Sequence, residues 1–121
     1  MKPHPIVHIE IPAENPAESA EFFKKALGWD ISVDDSFDYH MFAAEGGPAG
    51  GFVKPSDGYN IGHVIIYLET DDIEATLAQI EAEGGKATKG KTEILGIGWF
   101  AEFTDPAGNR MALYTSARSQ G

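Results

Sequence analysis

A chain of 121 residues with 42% hydrophobic and 11% aromatic side chains can build one real core but not two independent ones. Nineteen acidic residues against nine basic ones leave a formal charge of −10, which excludes the basic surface that nucleic-acid binding needs and points to a solubilising acidic exterior. With no cysteine there is no disulfide framework, thiolate nucleophile or cysteine-based zinc site, and no apolar run reaches the ~20 residues of a membrane helix. No signal-peptide pattern opens the sequence, so a cytoplasmic location and no membrane partner are expected.

In chain order, Val7 to Ile11 alternates and is rich in β-branched residues, which predicts a strand. Asn15 before Pro16 reads as an N-cap followed by proline at the first helical position. The helix over Ala17 to Leu27 carries Ala20, Phe23 and Leu27 on one stripe, and Gly28 ends it. Strands are predicted at Trp29–Val33, Tyr39–Ala44 and Gly50–Val53, with Gly46-Gly47-Pro48 turning between the last two. A strand over His63–Leu68 follows, then Asp71 or Asp72 as N-cap of a helix carrying Ile73, Leu77 and Ile80, stopped by Gly84-Gly85. Lys86–Lys89, Trp99–Thr104 and Arg110–Thr115 are the remaining strands. Residues 90–98 read as a Gly-rich loop, and Asp105-Pro106-Ala107-Gly108-Asn109 as a tight turn. His4 and the tail after Ser116 are expected to be frayed.

The order occurs twice. Val7-His8-Ile9-Glu10-Ile11 returns after 57 residues as Val64-Ile65-Ile66-Tyr67-Leu68, and Tyr39-His40-Met41-Phe42 matches Trp99-Phe100-Ala101-Glu102 at an offset of 60. One domain of two βαβββ modules is therefore expected, an α+β fold with module one at about 5–53, a linker at 54–61 and module two at about 62–116. Along each strand one face is apolar and should meet the helices, leaving Trp99 to the core. The opposite face mixes aromatic, acidic and histidine side chains: His8, Glu10, His40, Phe42, Phe52, Ile65, Tyr67, Phe100, Glu102, Ala112 and Tyr114. Such a lining suits a ligand-bearing concavity, with a dimer interface or plain surface as the alternatives. Within it, His8 and Glu10 stand side by side and can form an acid–base pair or a structural hydrogen-bonded pair. Trp29, Tyr67, Phe100 and Tyr114 can stack on a flat ligand or pack the cavity edge. Arg110 is expected in a surface ion pair, and no phosphate-cradling glycine motif is present.

With the repeat and the Asp-Pro-x-Gly-Asn turn in view, residues 5–115 resemble the vicinal oxygen chelate superfamily of glyoxalase I, bleomycin-resistance proteins and extradiol dioxygenases. The motifs that carry the resemblance are the His8 strand with Phe22-Phe23 and Leu27-Gly28-Trp29, the Asp71-Asp72-Ile73 to Gly84-Gly85 segment, and Gly98-Trp99-Phe100-Ala101 to Asn109-Arg110. The resemblance implies an open, U-shaped eight-stranded barrel and a homodimer. It also implies metal-ligand positions at His8, Phe52, Ile65 and Ala112, of which only His8 is a donor, whereas a catalytic divalent ion needs about three protein ligands. The expectation is a binder of a small, partly apolar or aromatic molecule without metal or other cofactor. The alternative is an enzyme: a lyase or dioxygenase whose divalent metal is held by a rearranged set drawn from His63, Glu10, His40 and Glu102, or a metal-free isomerase using His8 and Glu10. A third reading is a dimeric interaction module with an incidental cleft.

Overall fold

The computed structural model describes residues 2–56 and 60–120, the side chains of residues 119 and 120 excepted; part of the expected 54–61 linker therefore lies outside the described residues. The elements run β1 (Ile6–Pro12), α1 (Pro16–Leu27), β2 (Asp30–Asp34), β3 (Tyr39–Ala43), β4 (Ala49–Val53), β5 (Ile65–Glu69), α2 (Ile73–Ala82), β6 (Lys86–Ile94), β7 (Gly98–Thr104), β8 (Arg110–Ser116) and α3 (Ala117–Gln120). This is the repeated βαβββ order. The chain forms two compact units, Val7–Ile66, and Met1–Ile6 with Tyr67–Gly121. Among the described residues no helix is long and apolar enough to cross a membrane.

In the Val7–Ile66 unit the strands are ordered β2-β3-β4-β1, with β1 parallel to β4 and the other pairs antiparallel. Asn15 caps α1 by accepting the Glu18 N–H at 3.1 Å, Pro16 opens it, and Gly28 closes it with φ 73°, where a Cβ would be strained. Ala20 and Phe23 of α1 pack on Ile9, Ile11, Phe42 and Phe52. Aromatic rings continue that core: Phe23 stacks on Trp29 at 4.6 Å and on Phe52 at 5.7 Å, and Trp29 on Phe42 at 4.4 Å. Two expectations are corrected here. Leu27 is 60% exposed rather than part of the buried stripe, whose packed members are Ala20 and Phe23. Trp29 belongs to this stack rather than to a ligand platform.

The second unit orders its strands β5-β8-β7-β6, again with one parallel pair, β5 with β8. Asp72 caps α2 through the Ala75 N–H at 3.0 Å, and Gly84 turns the chain at φ 101°. Ile73 and Leu77 pack on Ala101, Phe103 and Leu113, with Ile80, Leu68, Trp99 and Met111 around them. Asp105 holds the turn before β8, its carboxylate accepting the Ala107 and Asn109 N–H groups and the Asn109 side chain. Three differences from the expected elements have local causes. β6 continues to Ile94 because β7 supplies ladder partners across an irregularity between Lys89 and Thr92, where Gly90 is easily accommodated. That irregularity puts Lys89 over the Phe100 ring at 5.3 Å and Lys91 over Trp99 at 5.0 Å, on opposite faces of β7. His4 is tied rather than frayed: its Nδ1 lies 2.9 Å from the Glu69 carbonyl, while the Pro5 carbonyl accepts the Glu69 N–H. After Ser116 the chain makes a helical turn, begun by the Ala117 N–H donating to the Ile97 carbonyl.

Candidate functional site

Strand alternation sends Ile9 and Ile11 of β1 toward α1 and His8 and Glu10 to the other side. There the two side chains are joined by a third residue that the repeat did not single out. Tyr39, the first residue of β3, places its hydroxyl 3.0 Å from His8 Nε2 and donates to Glu10 Oε2 at 2.8 Å. All three are partly buried. Burial pulls the His8 ring below its ordinary value of 6.5, and the neighbouring Glu10 charge opposes that shift. A neutral imidazole linked through a phenol to a carboxylate can accept a proton and hold the resulting cation, which is acid–base chemistry.

The phenol reaches β1 by crossing β4. In register, Gly51 of β4 stands between Glu10 of β1 and Met41 of β3, with Tyr39 on the diagonal. A Cβ at residue 51 would overlap the Tyr39 ring and its oxygen, and a Cβ at residue 50 would overlap the Phe42 ring. The two adjacent glycines thus seat one aromatic of β3 on each side of the sheet.

This arrangement corrects the faces assigned to His40, Phe42 and Phe52. Met41 and Gly51 take the places in this unit that Glu102 and Ala112 take in the other, one residue away from the alignment the repeat suggested. Phe42 and Phe52, 4% and 2% exposed, therefore pack under α1. His40 pairs across from Phe52 and lines a cavity of about 470 Å³ at the start of α1 with Asn15, Pro16, Phe37 and Lys54. Its Nδ1 is buried without a hydrogen-bond partner.

In the other unit, Tyr67, Ala112 and Glu102 lie in one row across β5, β8 and β7, on the side away from α2. Glu102 accepts from Arg110 at 2.8 Å, a diagonal ion pair with Glu102 8% exposed, so Arg110 is more enclosed than a surface pair. Phe100 pairs across from Tyr114 beneath Lys89. Burial, and then the charge of Glu69 directly across from it, push the Tyr114 hydroxyl above its ordinary value. Glu69 shares this face, two residues beyond Tyr67, and lies one residue past Leu68, where the expected strand ends. Ile65 is buried at the start of β5, whereas His63 precedes the strand in an exposed turn.

These placements decide whether a divalent ion fits. The position facing His8's side of β4 is Gly51 rather than Phe52, and neither is a donor. Ile65 and Ala112 supply none either. Of the rearranged set, His40 faces away from Glu10, His63 lies outside the strand, and Glu102 is engaged by Arg110. Among the described residues no group of three His, Asp or Glu side chains could hold a metal ion. Among the described residues, these donors fall short of the three that a catalytic ion needs.

A model of the family described as Glyoxalase/Bleomycin resistance protein/Dioxygenase superfamily matches residues 5–113. The chain is 26% identical over 122 residues to the anthracycline biosynthesis protein DnrV of Streptomyces peucetius, an alignment covering 87% of this chain. The anthracycline biosynthesis protein DauV of Streptomyces sp. (strain C5) is 25% identical over 122 residues, with the same 87% covered. The chain spans 44% of the length of each of these relatives. Among solved structures, methylmalonyl-CoA epimerase from Mycobacterium tuberculosis superposes with a TM-score of 0.69 at 13% identity, over 93% of this chain and 87% of that one, a likeness of fold alone.

Proposed function

The chain belongs to the glyoxalase/bleomycin resistance protein/dioxygenase superfamily, and from that premise we propose that it binds a small, partly apolar or aromatic molecule against the face carrying His8, Tyr39 and Glu10, without a metal. The observation that carries this reading is the His8–Tyr39–Glu10 chain itself: a small polar group on one side of a sheet whose other side is filled by α1. A few oriented polar atoms within apolar surroundings are what a small-molecule site needs. Taken by itself, the second unit has a face of Tyr67, Phe100, Glu102, Ala112 and Tyr114 that is proposed to make ligand contacts of its own, and Ile65 is proposed as apolar lining in the first unit.

Two relatives named for anthracycline biosynthesis make an anthracycline the first probe. Calorimetric titration with a panel of anthracyclines and simple naphthols should give saturable binding that His8→Ala weakens at least tenfold, about 1.4 kcal/mol. Heat from no member of the panel would remove the reading. Elemental analysis checks its metal-free part: near-stoichiometric iron, nickel or zinc, lost in His8→Ala, would overturn it.

The linked imidazole and carboxylate also favour a second reading, a metal-free isomerase in which His8 takes a proton from a carbon acid and Glu10 supports the charge. Wash-in of deuterium at the α-carbon of methylmalonyl-CoA, the compound named for the structural neighbour's substrate, gives a first assay; exchange unchanged in His8→Gln would refute a role for that ring. A homodimer in the cytoplasm is part of the same proposal. Light scattering should give twice the 13.0 kDa chain mass.

A further inference from the structure

We propose that Tyr39, seated over Gly51, is a positioning residue that fixes the proton of the His8 ring on Nε2 and ties that ring to the Glu10 carboxylate. The inference rests on the acid–base reading above and adds to it the residue that makes the pair work as one unit.

Proton counting carries the argument. A phenol has one hydrogen, and a carboxylate offers only acceptors, so the Tyr39 hydrogen lies on the 2.8 Å bond to Glu10. What Tyr39 then presents to His8 Nε2 at 3.0 Å is an oxygen lone pair, which the ring must meet with an N–H. The neutral ring therefore carries its hydrogen on Nε2 and its basic lone pair on Nδ1. Glu10 imposes this choice from two hydrogen bonds away, although His8 and Glu10 are neighbours on one strand.

Glycine at residue 51 is the second half of the device. Tyr39 belongs to β3 and its targets to β1, so the ring must pass over β4. At Gly51 the ring and its oxygen lie where a Cβ would be. Any larger residue would push the phenol off β4 and open both hydrogen bonds.

Two-bond ¹H–¹⁵N spectra of the protein without ligand read the tautomer directly. The wild-type His8 ring should show the Nε2–H form as the dominant neutral species. Tyr39→Phe, which keeps the ring and removes the oxygen, should yield a mixture of tautomers. Glu10→Gln should do the same, because an amide can donate to Tyr39 and turn the phenol hydrogen toward His8. Gly51→Ala should reproduce the Tyr39→Phe spectrum with the tyrosine still present. If Gly51→Ala does not fold, the two near-isosteric variants still decide the matter. A wild-type ring protonated on Nδ1, or a tautomer ratio unmoved by both Tyr39→Phe and Glu10→Gln, would overturn the proposal. A purely space-filling Tyr39 would leave the ratio unchanged. Because no ligand enters this measurement, a failure to bind or turn over any probe sinks the functional reading without touching the relay, and the reverse also holds.

Discussion

At the scale of single residues, His8 makes stability depend on pH. Burial holds its folded value below the ordinary 6.5, so the unfolded chain binds a proton more readily than the folded one. The sign follows: the contribution is complete above about 6.5 and is lost as pH falls through the lower folded value. Urea unfolding should show stability declining from pH 7 to pH 5, and His8→Gln should flatten that decline. An equal slope in the variant would place the acid sensitivity elsewhere. Glu102 illustrates a different balance. Its bond to Arg110 is charge-assisted and largely enclosed, so Glu102→Gln should destabilise by about 1–3 kcal/mol, a figure kept low because Arg110 retains 29% of its side-chain exposure.

The elements divide into those whose limits are set locally and those set by their neighbours. Ile73, 1% exposed in the first turn of α2, anchors that helix on Ala101 and Leu113; Ile73→Ala should lower unfolding stability by about 2–5 kcal/mol in chemical denaturation. The ends of α1 and α2 are legible in the sequence because Asn15-Pro16, Gly28, Asp72 and Gly84 act through bonds within a turn of themselves. Sheet faces in the second unit are legible too, since Trp99, Ala101 and Phe103 alternate cleanly with Phe100 and Glu102. In the first unit a one-residue misalignment of the repeat exchanges the faces of β3 and β4, because side chains change side at every step. Phe42 and Phe52 accordingly lie under α1, and Tyr39 is the β3 residue that reaches His8 and Glu10. The usable signal was Gly50-Gly51: two strand-interior glycines beside aromatics at 39 and 42 mark places where rings lie on the backbone. β6 outruns its expected end at Lys89 for a related reason: Lys, Gly and Glu are poor strand formers taken alone, and pairing with β7 carries the strand to Ile94.

For the whole molecule, nineteen acidic residues against nine basic ones put self-repulsion on the folded state. Added sodium chloride should therefore raise the thermal midpoint steadily up to about 0.15 M, where screening acts within roughly 8 Å; a flat response would mean that local pairs already cancel the field. A second molecular consequence comes from the bonds that His4 and Pro5 make to the backbone of Glu69. Residues that precede the first sequence copy thus complete the unit built from the second, so that unit is finished by material lying outside its own copy. Excising the copy at the repeat boundary, as a fragment beginning at residue 62, would strip Glu69 of its amide's acceptor. Hydrogen exchange at that amide should be slow in the intact chain and fast in the fragment, and the borders of the duplicated sequence would prove to differ from those of the folded unit.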